Sequence, residues 1–465
     1  MNRALAVDAR RGIPQCDTVS LFVTLSLVSF GACAARGTVR EAKGAPTESA
    51  ADRAAFESPL ELIESAPIES TLDHADLRDA KDVWPQMFAR AQKRIDVEQF
   101  YLANEAGQSL EPSILALEAA AARGVKVRVL ADAKMGATYP ETLSRLAARA
   151  NVTVQQIDYR HLAGGVQHAK FFVVDAGSES AEAYEGSQNF DWRSLSHIQE
   201  IGLRFRAPAA VRALEDVFET DWALATGTDR SARAASTPTD RFPTPAGTDD
   251  GARLTLVASP KGYLPDETHW DLPAIVALID GAKESVRVQV LTYRAHGRGD
   301  FPELEDALKR AASRGVSVSL LVSHWSLRKG TIEGLQALAK WRPEAQPAAA
   351  ESRATALGKD GSVPAAGTLK PIDVRIFTVP ELASGYLPFA RVAHAKYLVV
   401  DGASAWVGTN NWEKDYFTKT RNVGLIVEGG TVPARLAKFF EQNWSGPYAA
   451  PLDPDKTYPQ PHTGE

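Results

Sequence analysis

Cysteine is almost missing from this chain: of 465 residues only Cys16 and Cys33 carry a thiol, and both fall within the first 33 positions. The body that follows therefore has no disulfide, no cysteine nucleophile and no thiolate-bound metal. Positive charge is not in excess either. Against 58 Asp and Glu stand 52 Lys and Arg, for a net charge of -6. No global basic field recruits polyanions, so a nucleic-acid site would have to be a local groove. A long apolar run is also lacking, since the most apolar stretch, Val19–Phe30, falls short of the ~20 residues that span a bilayer. What remains is an ordinary globular composition, 44% hydrophobic and 24% charged, with chain enough for two or three domain-sized units.

The short apolar stretch reads as the centre of an export leader. Arg3, Arg10 and Arg11 precede it, and Gly31, Ala32 and Cys33 follow, the layout of a cleavable signal. Phe30-Gly31-Ala32-Cys33 is similar to a bacterial lipobox, which predicts a periplasmic lipoprotein held at the membrane through Cys33; plain secretion and an uncleaved anchor are the alternatives. Residues 34–56, rich in Ala, Glu, Arg, Gly and Thr, predict a solvated tether.

The rest of the chain carries one pattern twice. A helix ending at Arg-Gly runs straight into a β-branched strand at Ala116–Leu130 and again at Ala307–Leu321, with Gly124 and Gly315 as left-handed caps. Gln167–Asp175 (QHAKFFVVD) answers Ala393–Asp401 (AHAKYLVVD), and Gly186–Trp192 answers Gly408–Lys414. The glycines are 191 residues apart and the histidines His168 and His394 are 226 apart, so the second copy carries 35 more residues. These predict a surface insertion at about 341–370. The organisation expected is a leader over 1–33, tether 34–56, units 57–225 and 253–449 joined by a linker 226–252, and a tail 450–465. Strands alternating with helices predict an α/β fold, with two units related by a pseudo-twofold and packed edge to edge.

Each copy holds His-x-Lys-x4-Asp: His168, Lys170 and Asp175, then His394, Lys396 and Asp401. On a strand, residues two apart share a face. A reactive imidazole beside a fixed positive charge suits a phosphate. These six are the catalytic candidates, although the aspartates, at the strand ends, are read as anchors of structure rather than as groups touching substrate. Downstream, Ser187 and Asn189, with Thr409 and Asn411, offer uncharged donors to phosphate oxygens, and Gly186 and Gly408 permit close backbone approach. Glu200 is placed to accept a hydrogen bond from an active-site imidazole and fix its tautomer. Its counterpart is Asn422, so the halves are chemically unequal, as separate acid and nucleophile roles require. No carboxylates cluster around the motifs, and neither metal nor other cofactor is expected.

In these residues the chain resembles the phospholipase D superfamily, in particular the branch of endolysosomal single-strand exonucleases and poxvirus envelope proteins. HAKFFVVD, GSQNFDWRSLSHIQEIG, FARVAHAKYLVVD and GTNNWEKDYFT carry the resemblance, which covers most of residues 57–449. It implies two fused α/β/α sandwich units with one shared active site and a covalent phosphohistidine. Carried over, it makes His168 the nucleophile and His394 the acid, with Lys170, Lys396, Asn189 and Asn411 clamping the phosphoryl oxygens. One chain supplies both halves, so a monomer suffices. A phospholipid substrate, hydrolysed or transferred, comes first in this reading. Single-stranded DNA or RNA cut from the 5′ end comes second, and an inactive envelope-associated binding protein third. His161 and His197 are minor candidates for the pocket wall. Phe100, Tyr101 and Tyr293 are candidates to flank the cleft, with core packing the preferred reading.

Overall fold

The computed structural model describes residues 58–228, 251–295, 299–343 and 369–464, with the backbone of Phe242–Pro243. The leader and tether, most of the linker and most of the 341–370 insertion lie outside the described residues.

Each half is built on one large sheet. The first has eight strands in the order Arg78–Asp79, Leu60–Ser65, Glu200–Phe205, Glu182–Gly186, Phe171–Val174, Arg94–Gln99, Lys126–Asp132, Val152–Ile157. The second repeats that order with Phe242–Pro243, Arg253–Ser259, Asn422–Glu428, Ser404–Gly408, Tyr397–Val400, Ser285–Val290, Ser317–Ser323 and Asp373–Phe377, then adds Ala449–Pro451 at the edge. The start of the expected tail is thus an edge strand, paired through Arg375, Ile376 and Phe377. Gly124 and Gly315 do cap their helices with positive φ, 97° and 91°, because only glycine enters that region without a Cβ clash. In both sheets the motif strand runs antiparallel to the neighbouring parallel set. Its N-terminal end therefore lies beside the C-terminal ends of the parallel strands, where open α/β sheets bind ligands.

The halves meet face to face rather than edge to edge. One apolar cluster joins Phe171, Val173, Ile201 and Leu203 of the first sheet to Tyr397, Val399, Val423 and Leu425 of the second, and helices Pro208–Thr226 and Val432–Ser445 share it. Phe172 and Val174 turn to an outer core under helices Ala80–Arg90 and Glu111–Ala122 instead. The motif strands FFVV and YLVV are apolar on both faces because both faces are covered. Buried polar bonds pin the orientation. Arg421 of the second half, fully buried, forks onto Asp221 of the first at 2.6 and 2.8 Å, and Tyr159 adds a third bond to Asp221 at 2.8 Å. At the pseudo-symmetric place the network is neutral: Gln289 donates to Gln199 at 2.8 Å and accepts from Tyr397 at 2.8 Å and Asn443 at 3.1 Å.

One residue of the inter-sheet core breaks the apolar rule. Glu185, whose cross-strand partners are Phe171 and Leu203, is fully buried and neither carboxylate oxygen has a hydrogen-bond partner; the second half has Val407 there. Burial alone pushes this carboxyl well above the usual range, so the folded state holds a proton that the unfolded chain releases. Stability from this group is full below the ordinary carboxyl pKa. It falls as pH rises towards the folded value, by about 1.4 kcal/mol per pH unit. Glu185→Met, close in volume, is expected to raise stability at pH 7 and to shrink the loss between pH 5 and pH 7. Urea unfolding at the two pH values tests this, and an unchanged pH dependence would count against a protonated Glu185.

Candidate active site

The two histidine segments are held by hydrogen bonds that cross between the halves. His168 N–H donates to Arg421 O at 2.9 Å, and Arg421 N–H donates to Val166 O at 2.9 Å. In the mirrored arrangement His394 N–H donates to Gln199 O at 2.8 Å and Gln199 N–H to Val392 O at 3.0 Å. His168–Lys170 and His394–Lys396 lie in the extended approach to their strands, which begin at Phe171 and Tyr397, not in the strands themselves. Backbone pairing with the opposite half replaces the in-sheet ladder. Close approach is needed here: a Cβ on Gly165 would lie 2.3 Å from Lys419 O.

Because residue 421 is followed by Asn422 and residue 199 by Glu200, the same crossing delivers each imidazole to a side chain of the other half. His168 Nδ1 is 3.0 Å from Asn422 Oδ1, and His394 Nδ1 is 3.0 Å from Glu200 Oε2. The Asn422 amide is fixed. Its Nδ2 donates to Tyr416 O at 2.7 Å and Thr420 O at 3.2 Å, and its Oδ1 also accepts from Thr409 Oγ1 at 2.9 Å. The oxygen facing His168 can only accept, so Nδ1 carries the proton and Nε2 keeps its lone pair. Glu200 is fixed as well, with Oε1 accepting from Ser194 Oγ at 2.6 Å.

Burial dominates the electrostatics. It drives the His168 imidazole well below its ordinary range, and the charges of Lys170 and Lys396 push the same way. His394 is lowered by the same causes. Burial raises the Glu200 carboxyl to about 7 and lowers the Lys396 ammonium to about 7. Lys170 falls well below its usual range, through burial and repulsion by Lys396. The ammonium groups bond to the carbonyls of the motif histidines, Lys170 to His168 O at 2.7 Å and Lys396 to His394 O at 2.6 Å. Two buried lysines and two imidazoles share the one carboxyl of Glu200, a balance that suits a phosphodiester.

Comparison with known proteins agrees. The family model "Cardiolipin synthase, PLD-like domain" matches residues 85–222 and 275–444. The chain belongs to the phospholipase D superfamily. It is 30% identical over 446 residues to the 5'-3' exonuclease PLD4 of Homo sapiens, covering 88% of this chain and 82% of that protein. It is 28% identical over 417 residues to Phospholipase D Z of Dictyostelium discoideum, covering 84% of this chain and 90% of that one. Among solved structures, phosphatidylserine synthase of Haemophilus influenzae matches with TM-score 0.53 and 12% identity over 86% of this chain and 91% of that one, a likeness of fold alone.

The other residues of the site divide by role. Asp175 and Asp401 do not reach the imidazoles. Asp175 accepts from the amides of Gln92, Lys93 and Arg94 at 2.7–2.9 Å, and Asp401 from those of Lys283, Glu284 and Ser285 at 2.7–2.9 Å. Both sit at positive φ, 51° and 54°, so they shape the turn that ends the motif strand, as their position predicts. Ser187 and Thr409, expected as phosphate donors, are engaged instead with the neighbouring strand at Ile201 and Val423. Asn189 and Asn411 are buried with their Oδ1 atoms unpartnered; those oxygens only accept, so toward a phosphoryl oxygen the donor is the Nδ2 group. The close approach at Gly186 and Gly408 is between strands: a Cβ on Gly186 would lie 2.6 Å from Gly202 Cα, and one on Gly408 2.9 Å from Val423 O.

Phe100 flanks the site, its ring 5.0 Å from that of His168, and Tyr416 stands 5.1 Å away on another side. Tyr293 is buried and bonds Glu305 at 2.8 Å, so it is core. His161 is exposed on the surface. His197 is buried beside Trp192. The contributions of Tyr416 and Ser194 were missed from the sequence, although they occupy matching positions in GTNNWEKDYFT and GSQNFDWRSLS. Among the described residues the one carboxylate trio close enough to share a cation is Asp96, Glu215 and Glu219. Arg94 and Arg128 already pair with it.

Proposed function

We propose that this chain is a phosphodiesterase that forms a covalent phosphohistidine on His168, uses His394 as acid and then base, and takes single-stranded nucleic acid as its substrate. The unequal partnering of the two imidazoles carries the assignment. His168, tied to a neutral carboxamide and pressed by two lysines, is a neutral imidazole with a free Nε2 lone pair. His394, tied to a carboxyl with a pKa near 7, shares a proton with it and can donate. In the first step the N–P bond forms as the P–O bond to the leaving group breaks, and His394 protonates the departing oxygen. In the second, His394 takes a proton from water, whose oxygen displaces His168 from phosphorus. Lys170, Lys396, Asn189 and Asn411 hold the non-bridging oxygens. The two ammonium groups supply the charge that paired divalent ions supply in other phosphodiesterases.

The sequence alone puts phospholipid before nucleic acid. The relatives favour the opposite order: proteins named 5'-3' exonuclease match at 29–30% identity over four-fifths or more of their length. The likeness to Phospholipase D Z keeps lipid as the second reading. We further propose an exported protein that works as a monomer. The leader lies outside the described residues, and no described helix is long and apolar enough to cross a membrane.

The test is turnover in EDTA of a 5′-labelled single-stranded oligonucleotide, set beside phosphatidylglycerol vesicles. Oligonucleotide shortening at an undiminished rate is expected. Headgroup release without oligonucleotide cleavage would transfer the mechanism to lipid, and strict need for a divalent ion would end the phosphohistidine scheme.

A further inference from the structure

Aromatic rings continue outward from His168 past Phe100. Tyr101 meets Phe100 at 5.5 Å and stacks on Tyr139 at 4.9 Å and 24°. Next comes Arg193, whose guanidinium lies 6.0 Å from the Tyr139 ring, 5.9 Å from Trp192 and 5.9 Å from Phe389. Tyr139 and Trp192 are partly exposed, and Phe389 is 45% exposed. The row crosses from the first half to the second, so the site and its surroundings form one surface.

Two features show that this surface is built. Arg193 is locked: its Nε and Nη2 fork onto Asp191 at 2.6–3.1 Å, and Tyr101 donates to the same carboxylate at 2.9 Å. Its charge is thereby answered, and its side chain, only 12% exposed, is a fixed support on which the Tyr139, Trp192 and Phe389 rings rest. Phe389 is held out by a strained support. Phe389 and Arg391 both take positive φ, 55° and 53°, a conformation costly for residues with a Cβ. Arg391 is buried and bolts the loop down by donating to Pro380 O at 2.6 Å and Ile68 O at 2.7 Å. A large apolar ring fixed in solvent by strained backbone has no folding benefit. The C-terminal residues frame one side of it, with His462 stacked on Tyr386 at 4.1 Å and Gly464 against Phe389.

We infer that Tyr139, Trp192 and Phe389, set on Arg193, form a stacking ledge for the bases of a single strand whose phosphate lies between the motif histidines. This rests on the single-strand reading of the same site and adds where the bases go. Flat aromatic rings suit bases without regard to sequence. The ledge carries no excess of positive charge, so it recognises bases, while Lys170 and Lys396 recognise the phosphate.

The test compares two oligonucleotides of equal length and phosphate number, one with bases and one with abasic sites, binding to the His168→Ala protein by fluorescence anisotropy. The intact oligonucleotide is expected to bind at least about tenfold more tightly, and Tyr139→Ala with Phe389→Ala to remove most of that difference. Tyr139→Trp with Phe389→Trp should restore it, which a merely structural role would not. Equal affinity for the two oligonucleotides, or a difference that survives the double alanine change, overturns the ledge. So does loss of phosphatidylglycerol-vesicle binding on Phe389→Ala without any base preference, which would make the rim a lipid contact. None of these outcomes depends on turnover. Failure of the phosphohistidine scheme would show separately, as absence of a covalent phosphoenzyme in His394→Ala given a p-nitrophenyl diester.

Discussion

His168→Ala is expected to abolish turnover of every diester, whereas His394→Ala is expected to stop the enzyme part-way. The argument rests on what each imidazole lacks. His168 has no carboxylate partner, only Asn422 Oδ1 at 3.0 Å, and burial with two flanking lysines keeps it unprotonated. It has nothing to donate and a lone pair to offer, so its loss removes covalent chemistry altogether, by at least about 10³-fold in kcat. His394 is needed for a proton. With p-nitrophenyl diesters the leaving oxygen departs without one, so the first step survives in His394→Ala, but water is no longer activated and phosphoenzyme accumulates. Rapid mixing should show a burst of about one p-nitrophenolate per chain in His394→Ala and none in His168→Ala. Quenching in alkaline detergent, in which the N–P bond survives, should trap label only in the former. A burst in the opposite variant would exchange the two roles while leaving the phosphohistidine in place.

Much of this site was legible in the sequence because it is duplicated. A repeat separates what the fold needs from what chemistry needs: FFVV against YLVV is any pair of buried strands, whereas His, Lys and Asp returning at a constant offset of 226 is a site. The same comparison exposed the Glu200–Asn422 inequality. What it did not reveal was the crossing, in which Glu200 serves His394 and Asn422 serves His168. Local patterns define units, but the backbone bonds from 166 and 168 to 421 and from 392 and 394 to 199 join segments more than 190 residues apart. The face-to-face packing was hidden for a related reason. A strand apolar on both faces says that both are covered and not what covers them. Ser187 and Thr409 were assigned to the phosphate from residue type alone, and a hydroxyl turned to its neighbouring strand has the same letter as one turned to substrate. The ledge was visible only as scattered aromatics, since Tyr139, Trp192 and Phe389 share no periodicity.

Glu200→Gln should separate proton donation from mere orientation. Glutamine can still accept from His394 Nδ1 while facing Ser194 with its amide, the arrangement Asn422 gives His168 in the other half. The ring stays in place but its extra proton loses its counter-charge. Cleavage of an oligonucleotide, whose leaving alkoxide needs that proton, should fall by about 10²–10⁴, while the burst with p-nitrophenyl diesters changes little. The pH profile supplies the sign. Below about 7 the His394–Glu200 pair keeps its proton and Lys396 its charge; above about 7 both are lost. In the unsubstituted enzyme kcat/KM on oligonucleotides should therefore fall with rising pH, with a slope of at least two on a logarithmic scale as the pair and Lys396 lose their protons and Lys170, lowered as well, adds to the fall. In Glu200→Gln the pair's ionisation is gone and the slope should drop by one, leaving the lysine limb. A variant that cuts oligonucleotides within about threefold of the unsubstituted rate at pH 6 would mean that the carboxyl holds no catalytic proton. Glu200 would then orient the ring only, and the inequality with Asn422 would need another reason.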